Sequence, residues 1–321
     1  LEIAFWGTRG SLPKADGHEQ ALQLFQRKID QALAKGLKKI EELRDFITDP
    51  ASSEILSYGG HTSCSEVSLG ETNCYVDMGS GLKDAGTKAI KEGRKSFHIF
   101  QTHMHWDHIM GLPFFVPIYT PGHKITIYHV HKTAPESIRI LFNGTNFPVK
   151  WEDLKADIHF VQLKLYQPFQ LDEMAVTPFS LDHPGGSFGY HFEAHHRRLA
   201  IGVDGEYQRH TREALGKDLA YYQNLDLFVY DAQYELDELP DRFDWGHSSP
   251  NLGVDLAIRE NIKHLVLTHH DPWSDPQRLD RMFNEAKRHR KKLLGQQQDT
   301  LDSEDAKLKL TMAFDGLKIK F

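Results

Sequence analysis

The chain has 321 residues, 40% of them hydrophobic and 26% charged, with a formal net charge of −7. That length allows one large domain or two ordinary ones, and the acidic balance disfavours nucleic acid as a default partner, since phosphate contacts need clustered Lys and Arg. No apolar run approaches the roughly 20 residues of a membrane helix, and two cysteines, Cys64 and Cys74, exclude a disulfide framework and favour a reducing cytoplasm.

The opening LEIAFWG reads as a strand ending in a Gly turn, with no signal peptide visible and room for a leader to have been trimmed. Leu1 leaves open whether residues precede it. Over 15–48, Leu22, Phe25, Ile29, Leu33, Leu37, Ile40, Leu43 and Ile47 recur at three- or four-residue steps. This predicts one long amphipathic helix or two shorter ones broken at Gly36 and ended by Asp49-Pro50. Such a segment packs on the core, caps a site or pairs two copies into a homodimer; these readings stay open. YGGHTSC (58–64) is a loop, and SEVSLG with TNCYVDMG predicts a hairpin turning near Gly70-Glu71. That places both cysteines on neighbouring strands as small apolar residues. Residues 83–93 suit a helix, and SFHIFQTH (96–103) is a short apolar strand. Further strands are expected at 125–130, 158–163, 174–179, 189–194, 198–203, 227–231 and 264–268, and helices at 249–261 and 276–294. After a polar stretch at 295–306, KLKLTMAFDGLKIKF reads as a hairpin about Asp315-Gly316. No repeat and no Pro/Gly-rich linker divides the chain, so one α/β domain over 1–321 is expected.

Histidine stands out, at 20 copies. HMHWDH (103–108) sets His103, His105, Asp107 and His108 at the end of an apolar strand. Four later stretches share the pattern: FSLDHPGG brings His183, LAIGVDGEY brings Asp204, DWGHSSP brings His247, and HLVLTHHDP brings His269 and His270. Loops at strand ends commonly carry catalytic groups, held by a rigid sheet. One catalytic metal takes about three protein ligands and keeps an open position. Six ligand-type residues, with Asp204 able to bridge, match two metals roughly 3.5–4 Å apart. A lone strand-end histidine is more often structural, and that reading suits His98, His129, His131, His159 and His191. His195-His196 reads as a solvated turn. The structural reading fails for 103–108, where each unsatisfied imidazole would cost about 1–3 kcal/mol.

The HxHxDH pattern of HMHWDH resembles the signature of the metallo-β-lactamase fold hydrolases, and LDHPGG, GVDGEY and LTHHDP follow in that superfamily's order. WGTRGSLP and YGGHTSC resemble the opening of a branch related to ribonuclease Z and cyclic-phosphate phosphodiesterases, which carries Asn where this chain has His61. The resemblance covers nearly the whole chain apart from 15–48, a helical insertion. It implies a four-layer αββα sandwich with the metals at one edge. It also implies that His103, His105 and His183 hold one ion, that Asp107, His108 and His269 hold the other, and that Asp204 bridges. Zinc is the favoured metal, with manganese or iron as alternatives. A water shared by two cations loses a proton near neutral pH and becomes a nucleophile, which Asp107 can orient.

WGHSSPNLGVDLAIREN resembles the segment that carries a non-ligand histidine in the ribonuclease Z-like branch. His247 would touch the scissile phosphate or protonate the leaving oxygen. The ordinary alternative is a helix start, with Ser248 or Ser249 as cap and Pro250 in the first turn. His61 is expected in a substrate loop, and His270 and Asp271 as groups that orient ligands. The expected function is hydrolysis of a small or cyclic phosphodiester or short nucleotide. A long tRNA substrate fits poorly, because only 21 positions separate His183 from Asp204 and leave no room for the family's arm. Hydrolysis of a lactone, thioester or other carboxylic ester ranks second, since it leaves the His247 segment unused. A redox role is disfavoured by His105, where the oxygen-reducing relatives carry Glu. A non-catalytic metal sensor ranks last.

Overall fold

The computed structural model describes residues 1–15, 17–48, 57–295 and 308–321. Strands β1 (Glu2–Gly7), β2 (Cys64–Leu69), β3 (Thr72–Val76), β4 (Ser96–Gln101), β5 (Lys124–His129) and β6 (Asp157–Gln162) build one sheet. Strands β7 (Phe169–Leu171), β8 (Met174–Leu181), β9 (Ser187–Ala194), β10 (Arg197–Gly202), β11 (Leu227–Asp231), β12 (His264–Thr268) and β13 (Lys309–Met312) build the second. The last strand, β14 (Lys318–Lys320), returns to the first sheet beside β1. Both sheets follow one pattern across their width. Three antiparallel pairings, β14/β1/β2/β3 in one and β7/β8/β9/β10 in the other, give way to three parallel pairings. The amino-acid sequence carries no visible repeat, so the repetition lives in backbone pairing alone.

The helices are α1 (His18–Ala34), α2 (Ile40–Thr48), α3 (Leu82–Lys91), α4 (Trp106–Ile109), α5 (Ala134–Arg139), α6 (Arg212–Leu215), α7 (Pro250–Arg259) and α8 (Pro276–Leu294). Period-two alternation sorts the apolar side chains into layers. In β11, Leu227 and Val229 face the space between the sheets, while Phe228 and Tyr230 pack outward with Val254 and Leu279 of α7 and α8. In β4, Phe100 faces inward, while Phe97 and Ile99 pack outward with Leu82 and Ala85 of α3. Each such side chain withdrawn from water contributes about 1.5–3 kcal/mol before chain entropy is counted. The parallel strands are buried on both faces, which is why they read as unbroken apolar runs. The result is an αββα sandwich, as expected.

One expectation is overturned. The last two strands are not a hairpin. β13 pairs in parallel with β12 in the second sheet, and β14 pairs antiparallel with β1 in the first. The Asp315-Gly316 turn carries the chain between sheets instead. Gly316 N–H donates to the Phe5 carbonyl at 2.7 Å, and the Asp315 carboxylate accepts from Thr8 Oγ1 and the His61 backbone N–H, each at 2.9 Å. Over 17–48 the chain forms two helices, with Gly36 between them at φ +81°. The end expected at Asp49-Pro50 lies outside the described residues, as does most of 295–306. α1 leans on α8 through Arg27 Nη2 and Asp280 Oδ2 at 3.5 Å. His195-His196 forms the two-residue turn between β9 and β10, both at positive φ (49° and 62°). Among the described residues, no helix is long and apolar enough to cross a membrane.

Candidate metal centre

The candidate residues converge where the parallel strands end. β4 delivers His103 and His105, and the single turn of α4 then swings Asp107 and His108 inward. β8, β10 and β12 deliver His183, Asp204 and His269 from the facing sheet. Two donor groups result: His103, His105, His183 and Asp204, and Asp107, His108, Asp204 and His269, each with its donor atoms within 4.8 Å of one another. Asp204 belongs to both. Its Oδ2 lies 3.3 Å from His103 Nε2 and 3.5 Å from His183 Nε2, and its Oδ1 lies 3.2 Å from His108 Nε2 and 2.7 Å from His269 Nε2. His183 Nε2 also lies 3.1 Å from His105 Nδ1, and Asp107 Oδ2 lies 3.1 Å from His108 Nε2. Asp204 and His269 sit at φ +60° and +63°. Left-handed backbone at non-glycine residues costs about 1–3 kcal/mol and persists where the surroundings impose it, commonly at functional sites.

The far sides of the His108, His183, His247 and His269 rings are held by residues that sequence reasoning passed over. Asp77 Oδ2 accepts from His108 Nδ1 at 2.7 Å, while its Oδ1 accepts from Thr102 Oγ1 at 2.8 Å. Gln233 Oε1 accepts from His269 Nδ1 at 2.9 Å. Asp231 Oδ2 lies 2.9 Å from His247 Nδ1 and accepts from the Asp204 backbone N–H at 3.1 Å. The Gly246 carbonyl accepts from His183 Nδ1 at 3.0 Å. These bonds fix the Nδ1–H tautomer and leave Nε2 free to face the centre. Asp77 and Asp231 close apolar strands just as Asp204 does, and that shared ending was the available signal.

The donor set fits divalent cations. His103 Nε2, His108 Nε2, His269 Nε2 and Asp204 Oδ1 are buried with no hydrogen-bond partner among the described residues. Leaving each so is expensive unless a cation sits among them. Burial pushes His103 down to about 3, despite the neighbouring Asp204, and also lowers His105 and His183. Burial works against charge on His108 and His269 too, yet the carboxylates of Asp107 and Asp204 around the first, and of Asp204 and Asp231 around the second, carry both well above the ordinary range. Desolvation disfavours the Asp107 and Asp204 carboxylates, but the imidazoles, His108 foremost, hold both well below theirs. The space is thus strongly negative, and cations on the same donors would satisfy it. Asp204, Asp231, His247 and His269 form a further tight group. Asp231 is already engaged by three backbone N–H groups and two imidazoles, so it serves as a support rather than an open donor.

His247 stands beside both groups, its ring centroid 5.0 Å from that of His269 and 5.6 Å from that of His183. The helix-start reading holds as well: Ser249 caps α7 through the Leu252 N–H, and Pro250 opens the helix. Glu206, two residues past Asp204, accepts from the backbone N–H groups of Asp244 and Gly246 at 2.9 and 3.2 Å, so one acid steadies the loop that holds both His183 and His247. Gly246 sits at φ +85°, and a Cβ there would overlap the His183 ring. His61 reaches Ser80 Oγ and Asp84 Oδ2, each at 3.1 Å, and not the donor groups. His270 turns away, its Nε2 on the Ala313 carbonyl at 2.7 Å. The Asp271 carboxylate accepts from the Trp273 N–H, and its carbonyl from buried Arg9 at 3.0 Å. His98, His129 and His131 are tied to Tyr128, the His131 carbonyl and the Gly186 carbonyl, as structural histidines.

Seven His and Asp donors at one edge of a two-sheet sandwich, with the His247 ring beside them, define a metal-dependent hydrolase. The family described as "Beta-lactamase superfamily domain" matches residues 72–270, and the chain belongs to that superfamily. It is similar to ribonuclease Z of Archaeoglobus fulgidus, 24% identical over 247 residues that cover 63% of this chain and 79% of that one. Ribonuclease Z of Listeria innocua is 25% identical over 279 residues, 70% of this chain and 88% of the relative. Among solved structures, the metallo-β-lactamase fold protein YhfI from Bacillus subtilis aligns over 99% of this chain and 98% of its own, with a TM-score of 0.64 at 15% identity. A diphosphatase of the PhnP family gives a TM-score of 0.59 at 17% identity, covering 100% of this chain and 97% of its own. Zinc-bound PqqB from Methylobacterium extorquens gives 0.60 at 15% identity, covering 100% of both. These structural likenesses show the fold.

Proposed function

We propose that the protein hydrolyses a small phosphodiester, with His103, His105 and His183 holding one divalent ion, Asp107, His108 and His269 the other, and Asp204 bridging. Zinc suits the imidazole-rich set best. Bound there, the ions supply Lewis acidity to a phosphoryl oxygen and lower the pKa of water. The chain's own residues do the rest. Asp107 Oδ2 is fixed by the Ser11 N–H at 2.8 Å and orients the attacking water. His247, pinned through Nδ1 to Asp231, presents Nε2 to the leaving oxygen and delivers a proton as the P–O bond breaks. The observation that carries this reading is the His247–Asp231 pair beside the donor groups. Carbonyl hydrolysis gives a prearranged acid of this kind less to do. The relatives named ribonuclease Z support phosphodiester chemistry, while β9 and β10 fill the interval between His183 and Asp204 with a tight hairpin and favour a small substrate. Hydrolysis of bis(p-nitrophenyl) phosphate by metal-replete protein tests the reading. Two bound ions without turnover would redirect the search to lactones and thioesters.

Two expected results bear on the assignments. Asp77→Asn weakens metal binding by about 10–100-fold, because His108 loses the carboxylate that orients its ring. Competition with a chromophoric chelator measures this, and an unchanged affinity would remove His108 or its support from the scheme. The sandwich is proposed as one domain, 1–321, with 15–48 inserted between β1 and β2. Replacing 17–48 by a short linker should then leave metal content intact. Loss of both ions would show the segment to be part of the core.

A further inference from the structure

A cavity of about 930 Å³ adjoins the HMHWDH turn, within the size range of small-molecule sites. The turn splits its side chains between two tasks. His103 and His105 point to the donor groups, while the intervening Met104 and the following Trp106 line the cavity with Met110, Phe114, Ile140 and Phe147. Trp106, Phe114 and Ile140 are 65%, 57% and 65% exposed, an apolar surface that a folded chain rarely leaves to water without use. Lys83 and Glu136 are the charged Lys, Arg, Asp or Glu residues of the lining, and Lys83 already lies 3.3 Å from Asp84. A nucleic-acid strand needs several cations along its backbone. This wall offers one, already neutralised.

We infer that the substrate is a phosphodiester with a single charged group and a bulky apolar ester arm, the phosphate at the donor groups and the arm lying past Trp106 in the cavity. This rests on the phosphodiesterase reading and adds the substrate class. Water adds its oxygen to phosphorus, one P–O bond breaks, the leaving oxygen takes a proton, and a monoester and an alcohol result. The cavity binds the arm that stays on phosphorus, and its area sets affinity, not chemistry.

The test is a series of alkyl p-nitrophenyl phosphates whose retained ester is methyl, butyl or hexyl. p-Nitrophenolate leaves in every case, so only the apolar arm varies. kcat/KM should rise by roughly fourfold per added methylene, the value of burying one CH₂, with the change mainly in KM. The double variant Trp106→Ala with Phe114→Ser should flatten that slope. Trp273→Ala, an exposed tryptophan that does not line the cavity, should leave it in place. Turnover of the methyl ester with no rise along the series would overturn the inference and leave the phosphodiesterase reading standing, as would an unchanged slope in the double variant. No turnover of any diester by metal-replete protein would overturn both.

Discussion

Asp204→Ala should lower kcat/KM for bis(p-nitrophenyl) phosphate by about 10³-fold or more, several kcal/mol of lost charge stabilisation. The reason is geometric. Asp204 is the one residue common to both donor groups that also shares the HMHWDH residues between them: Oδ2 faces His103 and His183, and Oδ1 faces His108 and His269. Its removal takes away a donor from each group and the field that draws positive charge to His108 and His269. Elemental analysis should find less than two ions per chain. Asp204→Asn keeps the shape but not the charge, and should recover fold without recovering rate. Full occupancy with an undiminished rate in the Ala variant would sink the bridging role and the two-ion scheme with it.

His247→Ala should behave differently: both ions stay, and the rate falls by an amount that depends on the leaving group. A well-placed general acid contributes about 10²–10⁴-fold. An alkoxide leaving group needs that proton, so diesters of simple alcohols should lose the full factor. p-Nitrophenoxide leaves without help, so its diester should lose far less. Asp231→Asn should give a weaker version of the same split, since it loosens His247 through the 2.9 Å contact at Nδ1 while also touching His269 at 3.3 Å. Equal losses for both leaving groups would rule out proton delivery and leave a binding role. Loss of an ion in His247→Ala would instead make it a ligand.

What was readable beforehand follows from how far each contact reaches along the chain. HMHWDH is local, so its four polar residues announced themselves. α8 matched its expected span, 276–294, because its apolar spacing and its Pro start are written within the segment. Asp77 and Asp231 were not singled out because their work is done on His108, 31 residues on, and on His247, 16 residues on. Nothing beside either aspartate names its partner. The C-terminal strands failed for a related reason. Asp315-Gly316 is a sound turn signal, and the chain does turn there. Whether the flanking strands pair with each other depends on strands outside the segment, β12 upstream and β1 at the opposite end of the sequence, which outcompete the local hairpin. His270 was picked by residue type, and the folded chain spends it on the Ala313 carbonyl, whereas His61, held by Ser80 and Asp84, lines the cavity beside HMHWDH.

The repeated pairing pattern has a thermodynamic corollary. With the donors assigned as proposed, the half of the chain up to β6 gives His103 and His105 to one ion and Asp107 and His108 to the other, while the half from β7 onward gives His183, His269 and the shared Asp204. Each ion is then a clasp between two halves that also meet through the apolar layer between the sheets and through the pairing of β14 with β1. Clasp and layer become linked quantities. Above saturation, each tenfold rise in free metal adds about 1.4 kcal/mol of stability per ion. By the same reciprocity, any change that loosens the inter-sheet layer, at Val176 or Val229 for instance, is felt as weaker metal affinity at an edge those side chains need not touch.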